Sequence, residues 1–178
     1  MHFVAHFKTV CRHRHMVFRH CCRAGIPLQG LLHDLSKFSP TEFLAGAKYY
    51  QGTRSPNEAE REQKGYSAAW MHHKGRNRHH FEFWTDYNPK TKCMEPVPMP
   101  MRYIVEMFCD RVAASKVYLG DAYTDAAPLA YFQRGKHIRT VHPCTAAVLE
   151  HLLTMLAEEG EAKTFAHIRK HCLKSHRE

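Results

Sequence analysis

Three observations predict an all-α, single-domain protein. Apolar residues recur at helical spacing in almost every segment, no run alternates with the period of a strand, and no tandem repeat divides the 178 residues. A hydrophobic content of 44% suffices for one core in a chain of this length.

The elements follow in order. Residues 4–24 form a first helix, which Gly25 stops, and Pro27 helps to open the next segment. Residues 28–36 are expected as a second, short, largely buried helix. Ser39-Pro40-Thr41-Glu42 reads as a capping box with proline at the first helical position, and a third helix runs to about Tyr50. QGTRSPNEAEREQKG is a polar loop with a short exposed helical piece. Helix resumes near Tyr66 with Trp70, His72 and His73, breaks over 75–77, and returns for a turn or two over 79–84. Four prolines in 88–100 forbid regular helix there and make it a long connection. Residues 101–119 are the clearest helix. Tyr103, Met107, Ala114 and Val117 share its apolar face, and Asp110 lies on that same face. Helices near 126–134, 143–159 and 161–173 complete the chain, with Gly135 and Gly160 as stops and a basic peripheral end.

The net charge of +9 suits a phosphorylated small molecule or a nucleic acid as partner, and equally a solvated basic surface. Seven cysteines, an odd number with no C-x-x-C pair, fit neither a disulfide scaffold nor a zinc ribbon. No apolar run approaches the ~18–20 residues of a membrane span. The start, MHFVAHFKTVCRHRH, lacks the continuous apolar stretch of a secretion signal. A cytoplasmic protein without a membrane partner is the expectation.

Sixteen histidines are more than one site can use. His137, His142, His151, His167, His171 and His176 are expected at the surface or in caps. Tyr49, Tyr50, Trp70, Phe81, Phe83 and Trp84 are expected in the core, with Trp84 or Tyr87 as a candidate pocket wall. Three polar features stand in apolar or aromatic surroundings: His33-Asp34 after Leu31-Leu32, His72-His73 with His79-His80 close behind, and Asp110. The two leucines suggest that the His-Asp pair enters an apolar interior, which is costly unless something strong binds it. His6, His13 and His20 recur every seven residues and form one stripe on the first helix. Counting back about Gly25 places His20 nearest residue 33, with His13 about two turns further along.

His13, then LLHDLSK with His33-Asp34, then His72-His73, then Asp110, resembles the HD-domain superfamily of metal-dependent phosphohydrolases. LLHDLSK is close to the LLHDIGK typical of that family, and HHKGRNRHH is similar to the paired-histidine segment of its two-metal branch. The resemblance covers residues 6–120 and implies a single HD-type domain with a C-terminal helical extension over 121–178. It implies His13, His33, Asp34 and Asp110 as metal ligands, with His20 as fallback for His13. His72, His73, His79 and His80 would serve a second metal or the substrate. Asp34, Lys37 and His73 are the expected catalytic groups, and Lys37, Lys74, Arg76 and Arg111 the expected phosphate contacts. The implied cofactor is one or two divalent ions, Mn, Fe, Ni, Co or Zn, with Mg as an alternative. The implied reaction is hydrolysis of a nucleotide or other small phosphorylated substrate. Two rivals stand beside it: an HD-type di-iron oxygenase, and a basic nucleic-acid- or partner-binding module without catalysis. Ser36 replaces the family's glycine, and the Gly-Tyr-Pro element of the cyclic-dinucleotide branch is missing after HHK. Neither substrate, metal nor oligomeric state is fixed by the sequence.

Overall fold

A computed structural model describes residues 1–173; His176 and the end of the basic extension lie outside the described residues. The long helix α1 (Phe3–Ala24) ends at Gly25, whose φ of 93° is the left-handed stop expected from the sequence. Along α1, His6, Val10, His13, Val17, His20, Cys21 and Ala24 are buried, so the heptad stripe of histidines faces inward throughout. Its N-terminal half carries polar groups into the molecule. Val17, Cys21 and Ala24 belong to the apolar core.

The second helix departs from expectation. It covers only Pro27–Leu32 (α2), and the chain then turns at His33 and Asp34 into a 3-10 turn, Leu35–Phe38. Arg14 of α1 donates to the carbonyls of Leu31 and His33 and so caps the end of α2. Nor is this segment buried: Leu28, Leu31, Leu32 and Leu35 are all about half exposed or more, while Gly30 is the buried residue. Gly30 is where α2 crosses α1. A Cβ there would stand 2.5 Å from Cys21 Cβ and 3.1 Å from the Phe18 Cα.

Ser39 caps α3 (Pro40–Tyr49) by accepting from Glu42 N–H. Next come α4 (Pro56–Lys64) and α5 (Ala68–Lys74), the latter capped by Ser67. Glu60 braces the two, accepting from Ser67 Oγ at 2.7 Å and from the Ala69 N–H. A 3-10 turn (Phe81–Phe83) leads into a small antiparallel hairpin, β1 (Thr85–Asn88) with β2 (Cys93–Pro96). This hairpin corrects the strand-free expectation. Its four-residue strands are too short to show alternation, and its prolines fall in the turn, at the strand end and beyond, where no ladder donor is lost.

Helix α6 (Met101–Leu119) has the expected bounds. Val105, Phe108, Cys109 and Val112 point into the apolar core, against Leu149, Leu152, Leu153 and Leu156 of α8 (Pro143–His167). Between them lies α7 (Ala127–Arg134), whose Phe132 enters the same core. Gly160, with φ 78°, breaks α8 where the sequence places a helix stop. His142 caps α8 by accepting from Cys144 N–H, and His137, His151 and His171 are exposed, as expected. The architecture is therefore mostly helical, with α6 shared between an apolar core on one face and a polar cluster on another. All seven cysteines are free.

Gly30→Ala is expected to lower stability by about 1–3 kcal/mol, because the added methyl meets the Cys21 Cβ, which its own backbone fixes, and the Phe18 Cα, rather than the free end of a flexible side chain. Urea denaturation measures it, and an unchanged midpoint would show that α2 can retreat from α1.

Candidate metal centre

The centre is assembled by α1, the turn after α2, α5 with its following loop, and α6. Asp34 occupies the middle. Its φ of 55° is left-handed, a conformation uncommon outside glycine and better tolerated by Asp than by most residues. The turn there ends α2 and carries the carboxylate inward, where only 1% of the residue remains exposed.

Each Asp34 oxygen faces a different set of groups. Around Oδ2 lie His33 Nε2 at 3.3 Å, His13 Nε2 at 3.7 Å and Lys37 Nζ at 2.8 Å. Asp110 closes this side, with Oδ1 3.0 Å from His13 Nε2 and 3.6 Å from His33 Nε2. Around Oδ1 lie His73 Nε2 at 3.3 Å and His79 Nε2 at 3.4 Å. His80 Nε2 is 2.8 Å from His73 Nε2. His13, His33, Asp34 and Asp110 thus each bring one donor atom within 4.8 Å of the others, and so do Asp34, His73, His79 and His80.

Nε2 of His13, His33 and His79, and Oδ1 of Asp34, are buried and make no hydrogen bond. Even the 3.0 Å approach of His13 to Asp110 is misaligned for one. A buried polar atom without a partner is costly. Four of them converging on one small volume is the arrangement a cation would satisfy.

The far sides of the imidazoles are held. Glu106 lies one turn before Asp110 on α6 and takes two of them: Oε1 accepts from His33 Nδ1 at 3.0 Å and from His79 Nδ1 at 3.2 Å. Gln29 donates to its Oε2 at 2.8 Å. Glu42 accepts from His73 Nδ1 and His72 Nδ1, both at 2.7 Å. Asn77 donates to the His73 carbonyl and to Ser36 Oγ. In the neutral ring, an Nδ1–H given to the carboxylate leaves the Nε2 lone pair of His33 and His79 facing inward, while His73 Nε2 meets His80 Nε2.

Charge states follow from this packing. Burial alone would raise the carboxylates. The imidazoles, with Lys37 beside Asp34, instead hold Asp34 and Asp110 well below the usual range, and Glu106 at about 2. Burial would depress His33, yet the surrounding Asp34, Asp110 and Glu106 hold it well above the ordinary imidazole value. Burial lowers His13, and burial together with neighbouring His79 and His73 lowers His80. Lys37 is raised, because Asp34 and Asp110 outweigh its burial.

The expected residues divide clearly. His13, His33, Asp34, Lys37, His73, His79, His80 and Asp110 come together. His20, the fallback, does not: its ring stacks 5.6 Å from Phe165 and lies near the Cys109 carbonyl. His72 lies in neither donor cluster; its Nδ1 meets the same Glu42. Arg76 is exposed and donates to the His72 carbonyl. Arg111 turns toward α7, 5.9 Å from the Phe132 ring. Lys74, half buried at the end of α5, forms no ion pair among the described residues. Trp84 donates to the Arg78 carbonyl; the wall of the cluster is Trp70, 4.7 Å from the His80 ring. Sequence reasoning missed Glu42, which resembled half of a capping box, and Glu106. The signal for Glu106 was its position one turn from Asp110 on the same helix.

A family model matches residues 2–155, a span that contains every residue of this cluster. The chain belongs to the DUF5662 family. That family is described as one of unknown function. No curated protein and no solved structure matches the chain. Beyond the match lie Met1 and residues 156–178, of which the described ones contribute no cluster residue.

Glu106→Ala is expected to weaken divalent-ion binding about 10–100-fold, since two imidazoles lose their orienting acceptor. Calorimetric titration with Mn(II) or Zn(II) measures it. Affinity equal to wild type would show that packing alone positions His33 and His79.

Proposed function

We propose that this chain is a divalent-metal-dependent phosphohydrolase of the HD type, acting on a nucleotide or another small phosphorylated substrate. One observation carries the reading: three buried, unpartnered imidazole nitrogens, of His13, His33 and His79, surround Asp34, whose own Oδ1 is likewise unpartnered and whose two oxygens face two different histidine sets. The order His13, His33-Asp34, Asp110 along the chain matches the HD pattern, which supports the assignment of fold type. Imidazole mixed with carboxylate suits Mn, Fe, Co, Ni or Zn better than Ca. A bound divalent ion would supply a lowered pKa for water and a screen for phosphate charge.

The residues of the chain do the remainder. Lys37 and Asp110 are the more open members of the Asp34 side, at 31% and 17% side-chain exposure, so substrate approaches there. Lys37 Nζ offers a fixed positive charge to a phosphate oxygen beside Asp34. Glu106 and Glu42 fix the imidazole tautomers through the reaction cycle. Ser36, standing where the HD pattern has glycine, links Asn77 to the His73 side of the cluster. Trp70 packs against His80 and His73 and limits water on that flank.

Metal analysis of the purified protein tests the proposal. Wild type is expected to hold about one or two ions per chain, and Asp34→Ala to lose most of them. A wild type that carries no ion after growth in ample metal, and gains none on addition, overturns it. With metal present, phosphate release from a nucleotide panel under anaerobic conditions separates hydrolysis from the oxygenase reading. Lys37→Ala is expected to reduce kcat/KM about tenfold or more on an accepted phosphoester while metal content stays unchanged; unaltered kinetics would remove Lys37 from substrate contact.

A further inference from the structure

The N-terminal quarter of the chain has an unusual outer face. Phe7, Leu28, Leu31, Leu32, Leu35 and Phe38 are all more than a third exposed. Contacts join three of them, Phe7, Phe38 and Leu31. The Phe7 ring lies 6.0 Å from Phe38, the Arg14 guanidinium lies 5.2 Å over Phe38, and that guanidinium also holds the Leu31 carbonyl. Gly30 brings α2 against the Phe18 backbone, so the exposed leucines of α2 continue the surface of α1. Exposed apolar patches of this kind mark interaction sites.

The charge of the same segment is one-sided. Residues 1–44 contain Lys8, Arg12, Arg14, Arg19, Arg23 and Lys37, but only two carboxylates, Asp34 and Glu42, and both are buried. Arg23 pairs with Glu161, while Lys8, Arg12 and Arg19 are exposed and unpaired among the described residues. The outer surface of α1 therefore carries this positive charge about 100–140° round the helix from Phe7, flanking the apolar side chains on one side, and residues 1–44 expose no acid.

We propose that this face binds the surface of anionic lipid bilayers. Its aliphatic residues would enter the boundary between headgroups and acyl chains, and its arginines and lysines would meet headgroup phosphates. Self-association fits less well, because a two-fold contact would set the same basic flank against itself. Nucleic acid fits less well too, since leucine neither stacks on bases nor hydrogen-bonds to them. Peripheral binding needs no membrane-spanning helix, and no helix among the described residues is long and apolar enough to span. It runs against the expectation of no membrane partner. The proposal stands independently of the hydrolase reading.

Co-sedimentation of the whole protein with phosphatidylcholine vesicles, with and without phosphatidylglycerol, tests it. Binding is expected only with phosphatidylglycerol, and is expected to weaken as salt rises. Leu31→Asp combined with Leu35→Asp, and separately Arg12→Glu combined with Arg19→Glu, should each weaken it about tenfold or more. Circular dichroism checks folding, and Leu28→Asp replaces the leucine pair if that pair fails to fold. Sedimentation velocity of the protein alone should report a monomer. Absence of vesicle binding overturns the proposal, as does binding that the leucine substitutions leave unchanged. A dimer dispersed by those substitutions, or nucleic-acid binding lost through them, overturns it in favour of the corresponding partner.

Discussion

Everything at the centre of this molecule depends on neutralising buried carboxylates. Asp34, Glu42 and Glu106 are each less than a tenth exposed, and Asp110 is only slightly more open. The one side chain there that is always cationic is Lys37. Four acids against one lysine is a charge that a low-dielectric interior does not tolerate without further cations. Protons on the imidazoles can supply part of that charge, as the raised His33 indicates. They do so poorly, because burial pushes His13 and His80 toward the neutral form. Neutral imidazoles aimed at ionised carboxylates are the state in which a divalent ion competes best with protons.

The α6 helix shows how the fold reconciles this centre with a stable core. Val105, Phe108, Cys109 and Val112 face the leucines of α8, and Glu106 and Asp110, one turn apart, face the histidines. A single rigid helix therefore positions a candidate ligand, Asp110, and the glutamate that orients two others, His33 and His79. α1 repeats the device lengthwise: His13 serves the centre, while Val17, Cys21 and Ala24 belong to the core. Placing donors on elements whose opposite faces are packed is what holds them near working geometry.

Much of this was legible in the sequence, and the failures have physical causes. The His33-Asp34 pair and Lys37 announced themselves by motif. Asp110 was singled out as well, but the apolar face expected around it (Tyr103, Met107, Ala114, Val117) is not the core face, which carries Val105, Phe108, Cys109 and Val112 while Asp110 lies on the polar side with Glu106. His13 displaced the nearer His20 because α2 stops at Leu32 and the chain turns, which voids counting along a continuous hairpin. The same early stop explains the misread leucines: the turn sends His33 and Asp34 inward while Leu31, Leu32 and Leu35 remain outside. Glu42 was hidden by a second valid role, since Ser39 does cap the helix but the glutamate side chain turns to His72 and His73. Glu106 carried no local signal beyond its spacing from Asp110. A metal-binding histidine usually needs an acceptor on its other nitrogen, and asking where those acceptors were would have drawn attention to both glutamates.

The two sides of Asp34 are chemically unequal, and that inequality bears on how the centre would work. One side combines Asp34 with Asp110 and two imidazoles; the other combines Asp34 with three imidazoles. Two carboxylates make the first side harder and more negative, better matched to a hard ion, while the nitrogen-rich second side favours a later transition metal. Lys37 stands only on the first side, 2.8 Å from the same Asp34 oxygen that faces His13 and His33. Under the proposed reading, an anionic substrate drawn to Lys37 would arrive at the harder side, where the more exposed Lys37 and Asp110 lie. Trp70 packs against His73 and His80 on the nitrogen-rich side. Under the proposed hydrolase reading, that side would hold an ion and the Lys37 side would meet the substrate.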